Sequence, residues 1–397
     1  MPFDHRAIAV EVEERFGRFF RETINPSAAE RDRVCESFSA DMLQEMARLG
    51  LIGFTAPVAI GGAGRSFQEW GHALEEIGYR CEDSGLPMLL SYRETATNLV
   101  YQSGLKGREH LIDRYARPAV RGEAFIGWLL TEETDLWSLK TKVVRRGDRY
   151  ILNGAKAAST GGMGCTSWIV YAATEDGDDT VAIMVDRDDP GVVVTPVPTL
   201  GLRSLGLAEV QFTDVELDAS RLLAASDGLG HSQLFINERR QTGACWLLGR
   251  MKSLIERIID DALPKQRGHR SVVDFDTFQA GIGRMSLLLE AARSTTYRSL
   301  ARAEPGRTDC GVNDEQMVSV AKYVAVESAL EVAGIAQRLS GGHGYFSKYG
   351  IDRYLRDFNG VQPILGGQLA IEAVAGAKLI FQQQLRRRAG GKTNNNA

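Results

Sequence analysis

The spacing of apolar positions along this chain changes twice. From residue 1 to about 122 they recur at helical intervals. Arg31 to Leu49 carries Val34, Phe38, Met42, Leu43, Met46 and Leu49 on one stripe, which predicts a single amphipathic helix. Ser66 to Gly78 repeats the pattern, with Ser66 placed to cap a helix whose buried face is Trp70, Leu74 and Ile77. Between these helices, Gly53-Phe54-Thr55-Ala56-Pro57 and Gly61-Gly62-Ala63-Gly64 interrupt regular structure. From about 123 to 217 the period becomes two. Short β-rich runs at Phe125–Leu130, Tyr150–Leu152, Trp168–Ala173, Thr180–Val185, Val192–Val194 and Glu209–Phe212 are separated by Gly, Asp and Asn. From about 231 long helices return. Gln316 to Leu339 is apolar nearly all round, and Leu365 to Gln384 is another such helix, a pattern that predicts burial, often at a subunit interface.

The pattern predicts an α+β chain: an N-terminal helical domain (1–122), a central antiparallel β domain (123–230), a C-terminal helical bundle (231–385) and a disordered tail (386–397). The crevice where the three meet is the expected place for a large ligand. Composition leaves this picture intact and removes several function classes. The 397 residues are 44% hydrophobic and 25% charged, with a net charge of -4, the values of an ordinary soluble globular protein. No basic patch points to nucleic acid. No apolar run approaches the ~20 residues of a membrane span, and Met1 to Glu14 does not read as a signal peptide. The five cysteines (Cys35, Cys81, Cys165, Cys245, Cys310) are odd in number and contain no CxxC pair, so free thiols in a reducing cytoplasm are expected. The six histidines have no metal-ligand spacing, and His72 reads as a surface or satisfied core residue. The glycine clusters at 61–64 and 161–164 lack the spacing of a dinucleotide fingerprint or a P-loop, and there is no GxSxG elbow.

Four segments in order carry a resemblance. Leu130-Thr131-Glu132 with Thr134-Asp135 and Lys140-Thr141 comes first, then Tyr150-Ile151-Leu152-Asn153-Gly154-Ala155-Lys156. Gly201-Leu202-Arg203 with Val210 to Val215 is third. The last is Gly341-Gly342-His343-Gly344-Tyr345 followed by Arg353-Tyr354-Leu355-Arg356-Asp357. Together they resemble the acyl-CoA dehydrogenase family over nearly the whole chain. The resemblance implies an N-terminal helical domain, a central β domain and a C-terminal four-helix bundle. It also implies bound FAD, a homodimer or homotetramer, and oxidation of an acyl thioester carried by coenzyme A or by an acyl carrier protein. By position, Leu130, Thr131 and Thr160 would meet the flavin ring through backbone and hydroxyl groups, where donors stabilise the reduced ring. Ala158 would flank the ring, and Gly341, Gly342 and Gly344 would approach the FAD of a neighbouring subunit. Without the resemblance, that glycine cluster reads as a helix C-cap. Thr134, Leu365 and Gly366 would lie beside the substrate.

The departures from the family pattern shape the functional expectation. The family's glutamate base corresponds to Leu365, which cannot take a proton. Some relatives carry the base on the first bundle helix; that position is Arg239 here, with Glu238 one residue earlier as a candidate base. The indole beside the flavin is replaced by Ala158, which opens one flank of the ring to a bulkier substrate or to oxygen. A loop near the thioester is shortened, and Glu132-Glu133 adds negative charge along the expected path of coenzyme A. The leading expectation is a flavin dehydrogenase acting on a hydroxyacyl or aminoacyl group tethered to a carrier protein or to coenzyme A, in secondary metabolism such as polyketide extender-unit synthesis. Three alternatives stand beside it: an acyl-CoA dehydrogenase using Glu238, a flavin oxidase or monooxygenase, and a non-catalytic acyl-binding homologue.

Overall fold

The computed structural model describes residues 5–133, 138–301, 315–364 and 366–391. The first part is helical: α1 (His5–Val12), α2 (Ala28–Val34), α3 (Ala40–Leu49), α4 (Phe67–Arg80), α5 (Gly85–Gly104), α6 (Glu109–Leu111) and α7 (Arg117–Val120). Eight strands follow: β1 (Ile126–Leu129), β2 (Lys142–Arg146), β3 (Arg149–Ser159), β4 (Ser167–Thr174), β5 (Thr180–Asp186), β6 (Val192–Pro196), β7 (Ala208–Asp218) and β8 (Leu222–Ala224). Helices return as α8 (Gly228–Ala262), α9 (Asp276–Leu300), α10 (Glu315–Leu339), α11 (Ile351–Val361) and α12 (Gln368–Gly391).

The strands form one sheet in the order β6-β7-β3-β2-β4-β5-β8, with β1 joined to β4. Most neighbours are antiparallel, but β1 and β2 both run parallel to β4, at Ile126↔Ser167 and Lys142↔Ala173. The two strands share one edge of β4 end to end: the chain leaves that edge after Leu129 and rejoins it at Lys142. Period-two spacing reports which face is buried and carries no information on strand direction. The expected antiparallel sheet is therefore mixed at this one place. β4 is a continuous apolar run because both its faces are covered. Ile169 and Tyr171 join the large helical core, while Trp168, Val170 and Ala172 join a second core inside the sheet domain. The face bearing Ile169 and Tyr171 meets α8, and α5 packs on both α8 and β1. The candidate site is built at that junction.

Local sequence explains most element ends. Ser66 and Glu69 form a reciprocal capping box at the start of α4, and Trp70, Leu74 and Ile77 are fully buried. The single helix expected over Arg31 to Leu49 is instead two. Cys35 takes a left-handed conformation (φ 56°) that ends α2, and Ser39 accepts a hydrogen bond from the Met42 amide to start α3. Phe38 is buried, as the stripe predicts, whereas Val34, on the same stripe just before the break, is 45% exposed. His72 is a core residue hydrogen-bonded to His5. Cys35, Cys81, Cys165 and Cys245 are free thiols, and Cys310 lies outside the described residues. At the chain end α12 continues to Gly391, so the Arg386-Arg387-Arg388 run expected in the tail is helical. Burial of this helix does not hold within one copy: Leu369, Val374, Leu379, Ile380 and Phe381 are exposed.

Candidate active site

Four of the expected cofactor residues come together at the end of β3. The Ala157 amide donates to the Thr131 carbonyl at 3.0 Å, which ties the segment leaving β1 to β3 and sets Leu130 and Thr131 beside Ala158 and Thr160. Leu130 is buried, Thr131 exposed, and Ala158 and Thr160 are partly buried. Thr160 heads a tight turn in which Gly161 adopts φ +71°, a conformation that favours glycine.

A buried ion pair holds this arrangement. The Lys156 ammonium, fully buried, donates to Glu132 Oε1 at 2.6 Å and to the Leu130 carbonyl at 3.1 Å. The Glu132 carboxylate also accepts the amides of Lys140 (2.6 Å) and Thr141 (3.1 Å). Burial pushes Lys156 down to about 8, against the pull of Glu132. Burial opposes the charge on Glu132 too, but Lys156 and the Lys140 amide outweigh it and hold the carboxyl below its usual range. Glu132 therefore does not present negative charge to an incoming coenzyme A. It points inward and is neutralised by Lys156, a partner 24 residues along the chain. Thr134, expected near the substrate, lies outside the described residues.

The opposite wall comes from α5 and α8. Tyr92, buried on α5, lies against Arg239 of α8. The Arg239 guanidinium lies over the Tyr92 ring at 4.2 Å, and Nη1 donates to Thr242 Oγ1 at 2.6 Å. Burial raises the Tyr92 phenol, while Arg239 and Thr160 pull it back down. Burial lowers Arg239 to about 10, so it stays charged at neutral pH. Trp128 of β1 stacks on Phe235 of α8 at 4.6 Å and completes an aromatic wall with Tyr92.

Behind Arg239 lies a narrow cavity of about 10 Å³, room for about one water molecule. Met88, Trp246, Leu247, Val326, Val361 and Ile364 supply its apolar lining, with Gly243 and Ala244. Its charged lining residues are Arg239 and Lys322, both cations. Arg239, Gly243, Trp246 and Leu247 fall on one face of α8 by helical spacing. Glu238 sits about 100° around the helix from Arg239 and is not among the lining residues. Its Oε1 accepts from the Thr95 hydroxyl at 2.7 Å, in the buried seam between α5 and α8. Lys322 of α10 anchors the loop that follows α11, donating to the carbonyls of Gln362 (3.1 Å) and Gly366 (3.0 Å) and to Gln368 Oε1 (2.9 Å). Burial lowers Lys322 to about 8, aided by Arg240 and opposed by Glu327. Leu365, at the expected substrate position in this loop, lies outside the described residues, while Gly366 adopts φ +86° against Arg240.

Gly341, Gly342 and Gly344 form a separate cluster at the end of α10, packed on α10 and α11. Gly341 (φ +56°) is the first residue past the Ser340 that closes α10, as a helix cap requires. The space beside Gly341 and Gly342 is open, whereas a side chain at Gly344 would strike the Gln337 carbonyl. Gly344 is thus a packing requirement, and only Gly341 and Gly342 leave backbone accessible to another molecule.

Comparison with known proteins decides the family. The descriptions "Acyl-CoA dehydrogenase, N-terminal domain", "middle domain" and "C-terminal domain" match residues 7–123, 129–215 and 226–380 in turn. This chain belongs to the acyl-CoA dehydrogenase family. It is 27% identical to the 3-(aryl)acrylate reductase of Clostridium sporogenes over 347 residues, covering 85% of this chain and 89% of that protein. Its fold matches butyryl-CoA dehydrogenase from Megasphaera elsdenii with a TM-score of 0.87 at 23% identity, over 96% of this chain and all of the other. It matches the prolyl acyl carrier protein oxidase AnaB with a TM-score of 0.86 at 23% identity, over 94% and 98%. The family consists of flavin-dependent oxidoreductases, and FAD is its cofactor. The residues present fit a flavin ring. The end of β3 offers the small side chain of Ala158 and the hydroxyls of Thr131 and Thr160, with an aromatic wall of Trp128, Phe235 and Tyr92.

Sequence reasoning passed over Tyr92, Lys156 and Lys322 as site residues. Two of them carried a signal. Tyr92-Arg93-Glu94 is a polar run in a helix otherwise buried almost all round, and Lys322 is a single cation among Val318, Ala321, Ala325 and Val326. A polar group kept inside an apolar helix needs a partner or a task.

Proposed function

We propose that this protein is an FAD-dependent oxidoreductase that oxidises a hydroxyl-bearing acyl group held as a thioester on a carrier protein or on coenzyme A, and that Tyr92 takes the proton in place of the family's glutamate. The observation that carries this reading is the buried Tyr92 packed under the Arg239 guanidinium, which itself lines the cavity. Oxidation of an alcohol carbon removes a hydride from carbon and a proton from oxygen. FAD, when bound, supplies the acceptor for the hydride. The Thr131 and Thr160 hydroxyls and the strand edge at Ala158 orient the ring. The Tyr92 oxygen, as the phenolate that the Arg239 charge stabilises, receives the proton and becomes the neutral phenol. A proton on oxygen is far more acidic than one on the carbon beside a thioester, so a carboxylate base at position 365 is not needed.

The two cavity cations favour a hydroxyl over an amino group, since an ammonium would be repelled by both. The likeness to an acyl carrier protein oxidase supports a carrier-borne substrate. Glu238 does not fit the role of base, because its carboxylate serves Thr95 one helix position away from the cavity. The apolar row on α12, from Leu369 to Phe381, supports a homodimer or homotetramer in which a second copy covers it. No described helix is long and apolar enough to cross a membrane.

The first test is the visible absorption spectrum of the protein purified without added cofactor. Bands near ~450 and ~370 nm are expected from a bound isoalloxazine. A protein that stays colourless after incubation with FAD overturns the proposal and leaves the non-catalytic reading.

A further inference from the structure

Trp128 belongs to the aromatic wall of the candidate site, and two more rings continue from it. Its indole stacks on Phe235 at 4.6 Å and meets the Tyr171 ring edge-on at 5.8 Å. Tyr171 is fully buried, and its phenol is bonded to His231 Nδ1 at 3.1 Å. His231 Nε2 lies 2.9 Å from Ser103 Oγ, near the end of α5. A buried phenol proton needs an acceptor. With Nδ1 accepting it, Nε2–H donates to Ser103, and the imidazole is neutral. Burial keeps it so, lowering His231 to about 4, with Lys106 and Arg108 adding to the effect and Asp227 opposing it. Trp128 differs. It is 8% exposed, and its buried Nε1–H has no hydrogen-bond partner among the described residues.

The contrast sets a direction for electron transfer. An indole that loses an electron becomes acidic at its N–H, but Trp128 has no acceptor for that proton. It stays a cation radical, a strong oxidant. A phenol that loses an electron beside a neutral imidazole passes its proton across the hydrogen bond and becomes a neutral radical, a weaker oxidant. An electron therefore moves from Tyr171 to an oxidised Trp128 and not back. We propose that Trp128, Tyr171 and His231 form a one-electron relay that draws oxidising equivalents away from the candidate site onto Tyr171. The oxidant is an oxygen-derived radical of the hydroxyl or peroxyl class, which takes one electron from Trp128 and becomes the corresponding anion. Tyr171 returns one electron to the indole and gives its phenol proton to His231 Nδ1. The products are a restored Trp128, a neutral tyrosyl radical and an imidazolium. The inference rests on the flavoenzyme reading only for the origin of the oxidant, in the reaction of a reduced cofactor with dioxygen.

The experiment is laser photoionisation of tryptophan in the protein as purified, followed by transient absorption, with flavin content read from the absorbance of each sample. Photoionisation makes indole radicals without using the flavin. The parent is expected to show a fast phase in which indole-radical absorption gives way to phenoxyl-radical absorption, and to show it more slowly in heavy water. Trp128→Phe and Tyr171→Phe are each expected to lose this phase. His231→Phe is expected to slow it roughly a hundredfold, the lower end of what a positioned base contributes. Circular dichroism melting of each variant separates these losses from a fold defect, and the heavy-water comparison needs no variant. Absence of the fast phase in the parent, its persistence in Tyr171→Phe, or an equal rate in heavy water overturns the proposal. A flavin-containing parent without the phase overturns the relay alone. A parent that stays flavin-free after incubation with FAD and still shows the phase upholds the relay and overturns the flavoenzyme reading.

Discussion

Lys156→Met is the substitution whose consequence the structure fixes most closely. It removes one member of an ion pair in which the ammonium is 0% exposed and the carboxylate side chain 4% exposed. The neutral methionine fills much of the same volume, so the loss is electrostatic. Glu132 keeps the Lys140 and Thr141 amides but is left a buried anion without its cation, and the Leu130 carbonyl loses its donor. Removing one partner of a buried pair costs about 3–5 kcal/mol. The two surviving amide bonds put the expected loss at the lower end, about 3 kcal/mol, a factor of more than a hundred in the folded-to-unfolded ratio. Urea denaturation followed by circular dichroism measures it. Glu132→Gln in the same background removes the stranded charge but keeps an acceptor for only one of the two amides, which donate to different carboxylate oxygens. The double variant is therefore expected to be more stable than the sum of the single changes predicts, by about 1–2 kcal/mol. Because the pair pins Leu130 and Thr131 to β3, Lys156→Met is also expected to retain less flavin through gel filtration than the parent. A loss under about 1 kcal/mol, or strict additivity in the double variant, would refute the reasoning that this pair holds the flavin-facing segment.

Three further outcomes are expected. Glu238→Gln keeps an acceptor for Thr95, so substrate-dependent bleaching of the flavin should persist within a few-fold of the parent; abolition of bleaching with FAD still bound would restore Glu238 as base. Lys322 has a folded value near 8 against an ordinary 10.5, so the unfolded chain binds that proton more tightly and stability rises as pH climbs through this window, by about 3 kcal/mol from this group. Urea midpoints between pH 7 and 10.5 should therefore rise less in Lys322→Met than in the parent, and parallel curves would contradict the assignment. Ser66→Ala removes half of the α4 capping box and should cost about 1 kcal/mol in urea denaturation; a change within error would mean that Glu69 alone holds that helix end.

The two changes of period were enough to place the helical, β and helical segments, because burial faces are written directly into spacing. Strand direction was not legible, since Lys142–Arg146 pairs with β4 through a backbone register that no side-chain period encodes. The break at Cys35 was hidden because the stripe from Val34 to Leu49 continues in phase across it, and only the positive φ of a non-glycine residue marks it. The residues expected at the flavin were chosen through motif order, and the Ala157–Thr131 hydrogen bond explains why segments 26 residues apart meet. Tyr92 and Arg239 were harder to pair. Their partnership depends on α5 and α8 meeting at one height, a long-range fact that neither helix pattern contains. Glu132 was misjudged for the same reason: a carboxylate looks exposed in sequence until the lysine that buries it is brought back by the sheet.

The central claim is that the proton leaves through Tyr92 and no carboxylate replaces the missing glutamate. The most direct measurement is anaerobic stopped-flow bleaching of the flavin band by a set of 2- and 3-hydroxyacyl-CoA thioesters, comparing the parent with Tyr92→Phe and Glu238→Gln. The account predicts bleaching in the parent and in Glu238→Gln, and a loss of about 10²-fold or more in rate in Tyr92→Phe with flavin still bound, the usual scale for removing a general base. Parent-rate bleaching in Tyr92→Phe together with none in Glu238→Gln would contradict it.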